Sequence, residues 1–342
     1  MIKTETQFSY DMKNIIIAVL MFLLPSLAMA QGQVIRKPVP LKPVHKHSVS
    51  GPKNCRECNR LRQKEQQRIA EQRRKEKERI AEQQRLEEQQ RREEERRFAE
   101  ERKRKEMEEA ILADPKRIID NLVNNMVYVS GGTFIMGATS EQGSDAWGDE
   151  RPLHFVTLSS YCIGKYEVTQ AEWKAVMGIN PSSFKGANLP VDNVSWNDCQ
   201  EFIRKLNSLT GKNFRLPTEA EWEFAARGGN NSCGYKYSGS NDIDSVAWYD
   251  GNSGRKMHPV GQKSPNELGI YDMSGNVYEW CQDRYGIYSS SYQTNPTGSV
   301  SGSYRVNRGG CWYGNVNSCR VSNRDRNSPG ISFSFLGLRL VL

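Results

Sequence analysis

The sequence predicts an α+β protein with little regular secondary structure, preceded by a long charged α-helix. Three observations lead there. Residues 59–112 are almost entirely Glu, Gln, Arg and Lys, with no Gly or Pro, a composition of strong helix formers. From about Met126 the composition changes to aromatics, Gly and Asn throughout. Within that second part, three hydroxyl-then-acid helix starts sit among long Gly/Asn/Ser stretches that leave little room for regular structure.

Taken in order, residues 1–30 read as an export signal. Lys13 supplies a positive start, "NIIIAVLMFLLPSLA" an apolar run, and Ala28–Ala30 a small-residue cleavage site. The run is short for a spanning helix and contains Pro25, so a cleaved signal is expected, with no transmembrane segment after cleavage. Export to a periplasm, an outer envelope or the medium follows. Residues 31–58 form a Pro/Lys-rich arm ending in Cys55-x-x-Cys58. With His45 and His47 this motif has enough ligands for zinc, but an oxidised pair suits an exported chain better.

Residues 59–113 are expected to form a charged helical stalk or coiled coil. Arg74 and Glu78 illustrate the i,i+4 pairs that support an exposed helix. Apolar residues are sparse (Leu61, Ile69, Ile80, Leu86, Phe98, Met107) and "RIAEQ" repeats after eleven residues rather than seven, so no heptad seam persists. Oligomerisation through this helix stays open. Residues 114–126 restore an amphipathic period and are expected to dock onto the domain of residues 127–342.

The formal charge of +8 resides in the N-terminal part. Residues 113–342 carry 22 basic and 22 acidic side chains, so the domain has no general electrostatic reason to hold phosphate, and nucleic acid is not an expected partner.

Inside the domain, Thr169 with Glu172, Ser195 with Asp198, and Thr218 with Glu221 each place a hydroxyl cap three residues before an acid. The second helix is expected to bury Cys199, Phe202, Ile203 and Leu206 and to stop at Gly211; the third runs from Pro217 to Arg227. Strands are expected at 133–137, 155–168 and 336–342.

Six blocks, "GGTFIMG", "YCIGKYEVTQAEW", "PVDNVSWNDC", "FRLPTEAEWEFAARGG", "GIYDMSGNVYEW" and "RVNRGGCW", with a closing "GLR", resemble in order the formylglycine-generating enzyme (sulfatase-modifying factor) family. The resemblance implies a compact fold related to C-type lectin-like domains, and bound Ca²⁺. It maps the ion onto Asp272, the carbonyls of Gly275 and Val277, and Glu279, hard-oxygen donors of the kind Ca²⁺ takes. A capped turn with solvated acids is the alternative for the same residues. The counterpart of a second calcium loop, residues 247–261, looks shortened, and no second ion is expected.

Catalytic members of this family hold Cu(I) between two cysteines five apart and convert a substrate cysteine to formylglycine. Aligned on "RGG", the second of these falls on Cys319 and the first on Gly314; Cys311 is the possible substitute partner. One thiolate cannot supply two-thiolate copper. Cys311 is expected to pack as a small apolar residue beside Trp312, or to pair with Cys162, Cys199, Cys233 or Cys281. With His154 and His258 the only domain histidines, a non-haem iron site is not supported, and His154 is expected to make a structural hydrogen bond. The resulting expectation is an exported binding or scaffold protein with a protein or envelope component as partner. The alternative is a copper-dependent formylglycine-generating oxidase in which Cys319 acts.

Overall fold

The computed structural model describes residues 56–112 and 114–342. The expected signal and residues 31–55 of the arm, Cys55 among them, lie outside the described residues, as does the Cys58 side chain; residues 56–58, expected in the arm, already belong to the first helix. The chain divides into two compact units, with the division at Arg91/Arg92.

The division falls within α1, Arg56–Leu112, a helix of 57 residues. Its described side chains are all exposed, Leu61, Ile69, Ile80, Leu86 and Phe98 among them. Ion pairs one turn apart run along it: Lys75–Glu71 at 2.9 Å, Arg79–Glu76 at 2.7 Å, Arg96–Glu100 at 3.1 Å. Each such exposed pair contributes only about 0.3–0.5 kcal/mol, so it is their number, added to intrinsic propensity, that sustains the helix.

In the second unit, Asp114 caps α2 (Pro115–Asn124) by accepting from the Lys116 and Arg117 amides, and Pro115 opens the helix where no N–H is needed. Its Ile118, Ile119 and Leu122 are buried. The three capping boxes read from the sequence all form. Thr169 starts α3 (Gln170–Met177), Ser195 starts α4 (Trp196–Thr210) and Thr218 starts α5 (Glu219–Ala226). The expected face of α4 is the buried one, and Gly211 closes the helix in the left-handed region at φ 67°. A short α6 spans Ile243–Val246.

Among the described residues, nine short strands make three small sheets. β1 (Met126–Val129) pairs antiparallel with β4 (Tyr161–Gly164). β2 (Gly132–Met136) pairs with β3 (His154–Leu158), which in turn pairs with β6 (Gln293–Thr294). The third sheet has β5 (Tyr278–Arg284) between β7 (Arg305–Arg308) and β9 (Leu336–Gly337), with β8 (Asp325–Asn327) outside β7. The single strand expected over 155–168 is therefore two strands in two different sheets, broken at Ser159–Ser160. The strand expected over 336–342 shrinks to two residues. Beyond it Val341 bridges both Ile163 and Arg215, so the chain crosses partners too quickly for a continuous ladder.

With so little ladder, buried ion pairs take over part of the organising role. Arg320 lies on Glu150, Arg308 on Glu223, Arg324 on Glu219 and Arg339 on Glu279, all with side chains at most 5 % exposed. Every residue of α5 is buried, and its Glu219 and Glu223 hold two of these arginines. A guanidinium presents its donors in a planar fork, so each pair fixes orientation as well as distance.

Candidate functional site

The cysteine loop leaves β7 through Gly309 and Gly310, both at positive φ (99° and 75°). A Cβ on Gly310 would come within 2.8 Å of the Cys319 sulfur, so only glycine allows the loop to fold over that thiol. Trp312 N–H donates to the Asn276 carbonyl at 2.7 Å, and Gly314 N–H closes a turn onto the Cys311 carbonyl at 2.9 Å. Asn315 then caps a short 3₁₀ turn, Val316–Cys319, by accepting from Asn317 and Ser318.

Cys311 and Cys319 are both buried, and neither is in a disulfide. All six described cysteines are free, which removes the expected alternative of Cys311 pairing with another of them. Cys319 packs with Tyr237 and Val246 in a small apolar cluster, and its sulfur lies 3.8 Å from the Asn315 carbonyl. Burial pushes both thiols up to about 12. At neutral pH they are uncharged, whereas a soft metal needs thiolate. Gly314 is the residue that the register on "RGG" sets where the resemblance expects the first thiol. A Cβ there would stand 2.5 Å from Ser318 Oγ and 3.4 Å from the Cys311 backbone, so that position faces the inside of the loop.

A cleft of about 460 Å³ borders the loop, lined in part by Trp147, Tyr278, Asn315, Ser318 and Arg326. Trp147 and Tyr313 project into solvent at 61 % and 67 % exposure. This surface, with apolar rings beside mixed charges, is suited to holding a polypeptide segment.

The second expected site, Asp272 to Glu279, is a turn with Asp272 and Asn276 both in the left-handed region at φ 59°. Asp272 is buried and accepts from Gly261 N–H at 2.6 Å. Glu167, which the sequence reading missed, joins the group. Its carboxylate takes the Val277 amide at 3.0 Å and the Asn276 side chain at 2.7 Å. Glu279 holds Arg339 through both oxygens and also takes the Trp222 indole N–H at 2.7 Å. Three buried carboxylates therefore lie in the field of one guanidinium, which among them is bonded only to Glu279. Burial, then repulsion by the neighbouring carboxylates, pushes Glu167 well above its ordinary value; burial foremost, with Glu279 adding, raises Asp272 to about 6.

That surplus of negative charge suits a hard dication, and Asp272 with the carbonyls of its turn is the right donor chemistry. Glu279 fits the set less simply, because binding an ion would compete with Arg339. Among the described residues no three His, Cys, Asp or Glu side chains are already arranged around a common metal position. The solvated-acid alternative fails for both carboxylates, which are buried. The expected structural hydrogen bond of His154 is present, from Nδ1 to the Pro152 carbonyl at 3.1 Å.

The geometry can be set beside known proteins. The family profile described as the sulfatase-modifying factor enzyme 1-like domain matches residues 113–342. Chaperone protein LppX of Paenibacillus barcinonensis is 36 % identical over 249 residues, covering 58 % of this chain and 82 % of that protein. A formylglycine-generating enzyme from Thermomonospora curvata is 29 % identical over 66 % of this chain and 95 % of its own length. Serine/threonine-protein kinase pkn1 of Chlamydia caviae is 32 % identical over 64 % of this chain, but the match spans only 38 % of the kinase. Among solved structures, Treponema denticola variable protein 1 superposes with a TM-score of 0.58 at 36 % identity, covering 63 % of this chain and 94 % of that one. PvdO from Pseudomonas aeruginosa superposes with a TM-score of 0.54 at 27 % identity, covering 63 % and 93 %. With the profile spanning more than half of its length, and with the loop, caps and turn as described, the chain belongs to the sulfatase-modifying factor enzyme 1-like family.

Proposed function

We propose that this protein is a binding or scaffold module of the bacterial cell envelope, built on a sulfatase-modifying factor domain that no longer performs copper oxidation. The observation that carries the reading is Gly314. The loop position that faces Cys311 and Ser318 has no side chain, and the two thiols that remain nearby are buried and protonated. The cleft beside the loop persists with aromatic and charged walls, which supports retained recognition of a protein segment without the chemistry. The LppX relative is named as a chaperone, which is consistent with a binding task. Export rests on the apolar run and small-residue site before residue 31; among the described residues no helix is long and apolar enough to cross a membrane. A calcium ion at Asp272, Gly275, Val277 and Glu279 is part of the proposal, and its task would be to neutralise the buried carboxylates and hold the turn beneath the cysteine loop.

The test is direct. Protein loaded with Cu(I) is incubated with a Cys-x-Pro-x-Arg peptide under O₂, and the peptide mass is followed. No change is expected. A loss of about 18 Da, thiol to aldehyde, in wild type that vanishes in both Cys311→Ser and Cys319→Ser would make the eight-residue spacing a working copper site and overturn the reading.

A further inference from the structure

On the other side of Arg324 from the cysteine loop's cleft lies a second cleft, of about 300 Å³, lined in part by Met136, His154, Asp283, Tyr288 and the segment 296–300. We propose that this cleft binds a primary ammonium or guanidinium group carried on an aliphatic stem, with Asp283 as its counter-ion.

Asp283 follows Cys281 and Gln282 on β5 and is 3 % exposed. Its Oδ2 accepts from the Glu219 amide at the start of α5, at 3.0 Å. Among the described residues no donor reaches Oδ1, and no basic side chain pairs with this carboxylate. Glu219, the other acid lining the cleft, is already matched. Glu219 takes two bonds from Arg324, at 2.6 and 2.7 Å, and Arg324 also donates to the Asp149 and Gly286 carbonyls. Arg284 also lines the cleft, its Nη1 bonded to the Val300 carbonyl at 3.2 Å rather than to Asp283. Asp283 is thus a nearly buried acid with an open oxygen and no guanidinium bonded to it among the described residues. A buried carboxylate without a cation is costly, and the cheapest remedies are a proton or a cationic ligand.

A second acceptor faces the same space. The Pro152 carbonyl can only accept, so His154 Nδ1 carries the hydrogen in their 3.1 Å bond. In the neutral ring that leaves Nε2 as a lone-pair acceptor, and among the described residues it has no partner. The His154 ring is held against Tyr288, with centroids 4.8 Å apart, and Tyr288 donates its hydroxyl to Glu219 at 3.1 Å. The acceptors are therefore fixed before a ligand arrives. Met136 supplies apolar wall, and at the mouth Ile287 and Val300 stand 94 % and 95 % exposed, placed to cover methylenes. A cleft of this size admits one lysine- or arginine-like side chain or a small alkyl cation, and excludes a folded element.

This inference does not depend on the fate of the copper chemistry, because no lining residue belongs to the cysteine loop. Its probes are butylguanidine and its uncharged counterpart butylurea, titrated calorimetrically into the full-length protein. An arginine tripeptide and its citrulline analogue ask whether the cation can arrive on a polypeptide. Butylguanidine is expected to bind saturably, at least about tenfold more tightly than butylurea, as a charge-assisted contact requires. Asp283→Asn, which keeps the acceptor for the Glu219 amide, is expected to abolish that preference. Equal binding of the two probes, no saturable binding of either, or an unchanged preference in Asp283→Asn would each overturn the proposal. If Asp283→Asn does not fold, the wild-type comparison still decides, since it requires no variant. Tight binding of the arginine tripeptide would assign the cleft to a partner's side chain, and binding of butylguanidine alone to a free organic cation; both outcomes support the site.

Discussion

Replacing Glu150 by Gln removes one charge from a place where it cannot be replaced by water. Glu150 and Arg320 are both fully buried. The carboxylate takes two bonds from Arg320, one from the Ser322 hydroxyl and one from the Trp147 amide. The amide of Gln keeps the shape but leaves the guanidinium without its counter-charge, and turns one acceptor into a donor that faces donors. Breaking a buried pair from one side costs about 3–5 kcal/mol, and at about 2–4 °C per kcal/mol for a domain of 150–250 residues the melting temperature should fall by roughly 10 °C. The assay is thermal unfolding followed by near-ultraviolet circular dichroism, which reports the packed tryptophans and not the charged helix. The double variant Glu150→Leu with Arg320→Met should recover much of the loss, because it removes both desolvated charges together. A drop below about 2 °C in the single variant, or a double variant worse than the single, would show that the pair does not carry the weight assigned to it. The pair also predicts acid sensitivity. Against the cost of burial, the bonds from Arg320 and Ser322 hold Glu150 below its ordinary value, so its contribution is present above the unfolded carboxylate range and is lost as pH falls through the folded value.

Two other outcomes follow from the same structure. Native protein treated with iodoacetamide near pH 8 and mapped by mass spectrometry should be modified at exposed Cys233 and spared at Cys311 and Cys319. Because burial raises both thiols to about 12, the folded state is unaffected below the unfolded thiol range and loses stability as pH rises toward that value, by up to about 4 kcal/mol per thiol; equal labelling of Cys319 and Cys233 would refute their burial. If calcium fills the Asp272 turn, a chelator should lower the melting temperature, by an amount equivalent to about 2.7 kcal/mol for an ion present at a hundredfold its Kd. Asp272→Asn should abolish that response; it is a cleaner probe than a change at Glu279, which would also orphan Arg339.

The local elements were legible because their signals are local. A hydroxyl and an acid three residues apart announced α3, α4 and α5, and the apolar spacing of Cys199, Phe202, Ile203 and Leu206 named the buried face of α4. β5 was not legible, although it is the centre of its sheet. Tyr278–Arg284 overlaps the turn read for its metal ligands, and its alternation is hidden because Glu279, Trp280 and Cys281 are all buried. The same limit hid the role of Glu279. Its partners Trp222 and Arg339 lie 57 and 60 residues away, and no pattern along the chain links them. Gly314 was legible by register alone. Which way it faces, toward Ser318 and Cys311, belongs to the fold.

The stretch 336–342 has a consequence for how the domain is made. It reaches β5 through Leu336 and Gly337, bonds Cys162 in both directions through Leu342, bridges Arg215 through Val341, and delivers Arg339 to Glu279. Every one of these partners is synthesised earlier. Until that stretch is made, the acid at 279 has no guanidinium and the β5 sheet lacks its β9 edge, so a chain stopping short of it carries an uncompensated charge at its centre. Closing the core thus waits on this stretch, and a chain lacking it would be exposed to proteolysis by the instability of its own interior.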